Sequence, residues 1–178
     1  TGEVVAYSHS NDISKESLRK SSENLKDTLK SKKGTYNHEI PKTNSKYYEN
    51  INPIESKTFD SKIDLLNSVN NYLRSKGSIV NQVTANFLGE HKSIEIIRSD
   101  NQVLKDDRPL VRFNVSVVLE KDGKKETGVY GVGGRQSYDD YLKDGSWKDV
   151  CDEAFRIANV NLESKPAPAG EMKVVLGL

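Results

Sequence analysis

The stretch PLVRFNVSVVLEKDGKKETGVYGVGG, residues 109–134, decides how the rest of this sequence is read. Val111, Phe113, Val115, Val117 and Leu119 share one face of its first half, and Leu110, Arg112, Asn114, Ser116, Val118 and Glu120 share the other. An alternation this strict is the signature of a half-buried antiparallel strand. The Asp122-Gly123 pair in KDGK is the dipeptide that two-residue hairpin loops favour, so the chain turns back there. KETGVYGVGG then returns as a second strand and loses its pattern at Gly131.

Upstream, IVNQVTANFLG (79–89) and KSIEIIRSD (92–100) read as two strands joined at Gly89–Lys92, with a turn at Asn101-Gln102. In KDDRPLVR (105–112), paired carboxylates invite an acid–base reading. Asp106 and Asp107 are better read as a turn before the strand, with Pro109 kept out of a central ladder position. Two amphipathic helices flank this β region. Over 59–77, Phe59, Ile63, Leu66, Val69, Asn70 and Leu73 recur at helical spacing, with Asp60 or Ser61 as cap and Gly77 as stop. Over 146–164, Trp147, Val150, Cys151, Ala154, Phe155, Ala158 and Leu162 form a wide apolar face.

Farther out the pattern thins. EVVAYS (3–8) reads as a strand, and residues 11–31 as a helix capped by Ser14 with Leu18, Leu25 and Leu29 on a narrow stripe. Residues 32–58 show no periodicity and form a long connector. KPAPAGE (165–171) is a linker, and the apolar run Met172 to Leu178 reads as the first strand of something further. Helices flanking a mostly antiparallel sheet make the class α+β.

Hydrophobic residues make up 34% of the 178 residues and charged ones 30%. Ordinary domains carry roughly 45–50% apolar residues with Gly counted. The lean core points to long polar loops, or to a core shared with further chain or a partner. No run approaches the ~18 apolar residues of a membrane helix, and the opening residues have no secretory leader pattern. The single cysteine, Cys151, fits a reducing cytoplasm. The net charge of +1 favours neither nucleic acid nor a membrane surface. Residues 15–46 hold nine basic against four acidic side chains, but these are spread over a helix and a loop without a stacking platform, so they read as a solvated face.

No zinc-binding or nucleophile motif occurs, and His9, His38 and His91 are far apart. Cys151 reads as a small core residue. The unusual stretch is GVYGVGGRQSYDDYL (128–142). Consecutive glycines let backbone N–H groups converge on an anion, or let a ligand's main chain approach. They also suit a bent, bulged strand edge. Gly131, Gly133, Gly134 and Arg135 are therefore the candidate contacts for a peptide or for a further domain.

DDRPLVRFNVSVVLEKDGKKETGVYGVGGR resembles the signature of the TldD branch of the TldD/PmbA metalloproteases, where a D-x-R-P-L-V-R strand leads through a hairpin to Gly-Gly-Arg. APAGEMKVVLG resembles the stretch that opens that family's catalytic half, and VVAYSHSNDISKESL a strand and helix that precede both. The resemblance implies that residues 1–164 are a TldD-like N-terminal α+β domain lacking its first strands, and that 165–178 lead into a zinc metalloprotease domain. The HExxxH zinc helix and a later cysteine ligand would lie beyond Leu178. The chain itself is then expected to hold no zinc and to be inactive, a scaffold and substrate-channel portion of an enzyme that cleaves unfolded peptides in the cytoplasm. The resemblance also implies a PmbA (TldE) paralogue as heterodimer partner, and the family label of DNA gyrase modulator. A stand-alone module that captures peptides at a sheet edge is the competing reading.

Overall fold

In the computed structural model the described residues are 6–29, 48, 51–98, 102–142 and 145–177. The chain divides into two compact units, Thr1–Thr43 and Asn44–Leu178, and the division falls inside the expected connector. The first unit contains helix α1, Lys15–Leu29. Ser14 caps it as expected, since its Oγ accepts from Ser17 N at 3.3 Å. Asp12 in turn accepts from the backbone and hydroxyl of Ser14, and these two bonds hold its carboxyl below the usual range. Of the strand expected over 3–8, residues 3–5 lie outside the described residues and 6–8 belong to no strand.

The second unit is built on a three-stranded antiparallel meander, β1 (Val80–Ile97), β2 (Val103–Lys121) and β3 (Lys124–Gly134), in the order β1-β2-β3. The alternation in β2 holds: Val111, Phe113, Val115, Val117 and Leu119 have no exposed surface. At the β2–β3 hairpin, Asp122 (φ 52°) and Gly123 (φ 79°) both take the left-handed conformation, the combination that matches the twist of the flanking strands. A one-residue irregularity lies between Val80 and Gln82, where Val80 pairs Leu119 and Gln82 pairs Val118. This lets Val80 and Val83 both reach the core side.

In the sheet, three expectations need correction. Residues 79–100 do not form two strands joined at Gly89–Lys92, because β1 runs through Gly89 without interruption. A side chain at Gly89 would collide with the Tyr138 hydroxyl. Tyr138 lies over this glycine and meets Phe87 edge-on at 5.4 Å, so Gly89 makes room within a strand and does not turn it. Asp106 and Asp107 are not a turn. Both pair in the β2 ladder, where Ser93 donates to Asp107 at 2.6 Å and Arg108 bridges Asp106 at 2.6 Å. Pro109 does pair, with His91, at a level that β3 does not reach. The glycine-rich strand does not dissolve at Gly131 either: it stays in register to Gly134, opposite Val111.

Helices α2 (Phe59–Arg74) and α4 (Trp147–Glu163) cover one face of the sheet. Thr58 caps α2, where Asp60 or Ser61 was expected, accepting from Ser61 N at 3.3 Å. Its buried row is Leu65, Val69 and Leu73, so Phe59 (76% exposed) lies off the core. α4 buries Val150, Cys151, Ala154 and Ala158 as its pattern predicted. It approaches β3 so closely that a side chain at Gly128 would meet the Ala154 carbonyl. Lys124 closes the far end of α4, donating to the carbonyls of Asn161 (2.8 Å) and Leu162 (3.1 Å), at the end where a helix runs out of its own donors.

The helices are pinned to each other by a polar cluster. Lys76 bridges Asp152 at 2.5 Å, and the Tyr72 hydroxyl donates to the same carboxylate at 2.9 Å. Burial works to raise the pKa of Asp152, but the bonds from Lys76 and Tyr72 outweigh it and hold the group below its ordinary value. The expected strand over 172–178 is not formed among the described residues 172–177, and Val175 is 95% exposed. A strand needs a neighbour to complete its hydrogen bonds.

Because the inner row of β2 faces both helices, Val115→Asp should unfold the Asn44–Leu178 unit. An unpaired buried carboxylate costs several kcal/mol against a total of about 5–15. Circular dichroism melting checks this; an unchanged cooperative transition would contradict the assigned face.

Candidate functional site

The four candidate residues lie together at the end of β3, with Gly131 and Gly133 on the outer face, Gly134 opposite the inward Val111 and Arg135 just beyond the strand. Register places Gly131 opposite Asn114 and Gly133 opposite Arg112, on the face away from the helices. There Arg112 Nε donates to Asn114 Oδ1 at 2.8 Å, and Asn114 donates on to Asn86 Oδ1 at 3.0 Å. A side chain at Gly131 would meet that Asn114 oxygen, a neighbour able to move. One at Gly133 would stand 2.7 Å from the Val111 carbonyl oxygen, which is backbone and cannot. Gly134 is closely approached only by Gln136. The Arg135 guanidinium lies 5.0 Å from the Tyr48 ring centre. No register shift interrupts the β2–β3 ladder, so these glycines form no bulge.

The sequence reading missed what lies beside them. After Gly134 the chain crosses to the helix side, where Tyr138 and Tyr141 bury against Val111. Burial raises the pKa of both hydroxyls, with the Asp140 charge adding to the effect at Tyr141. The crossing leads into a short helix, α3 (Asp139–Leu142). Between β3, α3 and the start of α4 lies a cleft of about 510 Å³. Tyr130, Val132, Tyr141 and Val150 supply its apolar surface, and Asp140, Asp149 and Glu153 its charge. Arg156 holds Glu153 through bonds of 2.7 and 2.8 Å. The signal in the sequence was the spacing of these acids on the tyrosine-bearing segment and the first turns of α4, but only the fold shows that they flank one strand edge.

The described histidines and the cysteine lie apart. Among the described residues no group of three or more His, Cys, Asp or Glu side chains is placed to hold a metal ion. His91 stands opposite Pro109 in the β1–β2 ladder, His9 stacks on Tyr7 at 6.0 Å, and His38 lies outside the described residues. The Cys151 thiol is fully buried, and burial followed by the Asp152 charge pushes it up to about 12. At neutral pH it is a core thiol and not the thiolate a metal requires.

Against known proteins, residues 52–162 match the family model described as the PmbA/TldA metallopeptidase central domain. The chain belongs to this metallopeptidase family. A Metalloprotease TldD homolog of Buchnera aphidicola subsp. Acyrthosiphon pisum is 36% identical over 183 residues, covering 99% of this chain and 38% of the relative. One of Haemophilus influenzae is 35% identical over 187 residues with the same shares, 99% and 38%. The chain thus spans about 38% of the length of these relatives. The matched region begins at the turn before α2, where Asn52 Oδ1 accepts from Ile54 N at 3.0 Å.

Two outcomes follow from this geometry. Gly133→Val should lower the melting temperature, whereas Gly131→Ala should leave it within a few degrees, since the closest neighbour, the Asn114 amide, can move and the Phe113 carbonyl at 3.3 Å has to give only slightly. Equal losses would show that both glycines are packing residues. The dialysed chain should carry no stoichiometric zinc by metal analysis. One bound equivalent would reveal a donor set that includes residues outside those described.

Proposed function

We propose that this chain is the non-catalytic portion, N-terminal to the zinc-binding part, of a TldD-like metallopeptidase, and that it guides an unfolded peptide toward that part. The observation that carries the reading is the far half of β3: an edge strand whose outward positions at 131 and 133 bear no side chain, next to Arg135 and an open cleft. Bare backbone at a sheet edge admits another main chain to hydrogen-bonding distance, and a guanidinium grips a carboxylate or a peptide carbonyl. Gly131, Gly133, Gly134 and Arg135 are the proposed substrate or domain contacts. Zinc, in this reading, belongs to the remainder of the protein, with the chemistry of a metal-activated water.

The proposed partners are that catalytic part, a PmbA (TldE)-like paralogue, and the unfolded peptide, with the cytoplasm as compartment and no role for nucleic acid or membrane. Among the described residues no helix is long and apolar enough to cross a membrane. The competing module, which captures a peptide without catalysis, rests on the same strand edge.

The test uses the full-length protein with its paralogue. Arg135→Ala should reduce peptide cleavage per folded molecule several-fold while melting temperature and zinc content stay unchanged. Full activity in that variant would end the guiding role. Peptide binding by the full-length protein with no turnover would favour the module.

A further inference from the structure

We infer that the β1–β2 hairpin beyond β3 is an arm by which two copies of this chain hold each other, the tip of each arm seated against helix α2 of the other. The inference does not depend on the guiding role proposed above. It starts from the unequal lengths of the strands. β3 pairs with β2 only from Val111 to Lys121, whereas β1 and β2 stay in register past that level, from Glu90 opposite Leu110 to Ile97 opposite Val103. At about 3.3 Å per residue this two-stranded arm is roughly 25 Å long. Neither apolar cluster of the unit includes an arm residue, and no described residue from Glu90 to Arg108 is buried. A two-stranded ribbon is marginal by itself in water, so a long one implies a neighbour. The charges along its shaft are answered locally: Lys92 bridges Glu90 at 2.6 Å, Lys105 bridges Glu95 at 3.0 Å and Arg108 bridges Asp106 at 2.6 Å. A second arm alongside therefore meets no large charge of one sign. What the arm leaves unanswered is the apolar surface at its tip.

That surface has a complement on the same chain. Ile97 and Val103 stand opposite each other at the tip, 72% and 49% exposed, in the row that continues through Val111 on the helix side of the sheet. Phe59 and Ile63 are exposed one turn apart on α2. They lie on the side of α2 turned away from Tyr72, whose hydroxyl reaches α4 at Asp152. Because α2 packs on β1 while α4 packs on β2 and β3, that side overhangs the outer edge of β1. Lys62, next to Ile63, lies 4.9 Å over the Tyr138 ring, and Tyr138 lies over Gly89, so the patch stands at the base of the arm. A two-fold axis perpendicular to the sheet, beside the middle of the arm, lays two arms antiparallel, each along the β1 edge of the other. It keeps the helices of both copies on one side and brings each tip to the base of the opposite arm, under the overhanging Phe59 and Ile63. The contact is then tip to α2 and α2 to tip, the self-complementarity that a two-fold interface requires. A second copy is the occupant because this chain carries both halves of the contact.

The experiment uses the full-length protein without its paralogue and follows mass by sedimentation equilibrium over a range of concentrations. The wild type should form dimers. Ile97→Asp and Phe59→Lys should each weaken the dimer by at least about tenfold, since each removes an apolar side chain from two equivalent contacts. Melting temperature, compared at concentrations where the wild type is itself monomeric, should not change, because both side chains are exposed in the single chain. Mixing the two variants should restore dimers made of one copy of each. In such a pair one contact is unaltered, Ile97 against Phe59, and the other sets the introduced carboxylate against the introduced ammonium. A wild type that stays monomeric would overturn the proposal. So would a dimer that neither substitution weakens, or a mixture that associates no better than its parts. A monomer whose melting temperature falls with Ile97→Asp would show that the rest of the same protein covers the tip, and would overturn the exchange between copies. Binding to the PmbA (TldE)-like paralogue that Ile97→Asp abolishes, with no self-association, would assign the arm to that partner and overturn the second copy as its occupant.

Discussion

The fully buried row on β2 is the constraint against which everything else in the Asn44–Leu178 unit is arranged. A strand with period two can present five consecutive inward residues without a polar interruption, and Val111, Phe113, Val115, Val117 and Leu119 do so. β2 is the central strand, and from Phe113 to Leu119 this row belongs to the core that both helices share, while Val111 lies under Tyr138 and Tyr141. A slip of one residue would bury Arg112 and Asn114 in its place, and the register is fixed by that penalty. The close seating of α4 follows: Ala154 and Ala158 reach the sheet because Gly128, opposite Val117, has no side chain to hold them off.

The parts of the fold that rest on one strong local signal were legible in the sequence. These were the β2 row, the Asp122-Gly123 turn, the apolar face of α4 and the Ser14 cap. The misread parts are those where a residue has one meaning locally and another in three dimensions. Gly89 reads as a turn residue, yet it is a seat for Tyr138, which lies far along the chain. Asp106 and Asp107 read as turn formers, yet cross-strand and neighbouring partners keep them in a ladder. In α2, Phe59 fits the helical period, yet Leu65, Val69 and Leu73 are the residues that meet the sheet. Periodicity marks an apolar stripe but does not say where along the helix its support ends.

The candidate site shows the same division. Unusual glycine content drew attention to residues 131–135, and the structure places them together on an open strand edge. It also distinguishes them: the nearest atom to a side chain at Gly133 would be backbone, while at Gly131 it would be the Asn114 side chain, with the Phe113 carbonyl farther off. The cleft could not be read in advance. Its apolar surface comes from β3, α3 and α4, and its carboxylates look like ordinary acids on helices, Asp149 in the first turn of α4, where the macrodipole favours it, and Glu153 one turn on.

Stability and the proposed recognition occupy opposite ends of β3. Its first half is bound into the fold, with Lys124 closing α4 and Gly128 under Ala154 and Ala158. Its second half has β2 on one side, and its outward positions at 131 and 133 bear no side chain. Residues with few buried apolar contacts open at low free-energy cost, so this half can adjust to a neighbour without disturbing the core. The aromatic pair Tyr138 and Tyr141 limits that adjustment by anchoring the chain just beyond Gly134 against Val111, the last residue of the β2 row. The same buried row that fixes the fold therefore also fixes where the open edge stops.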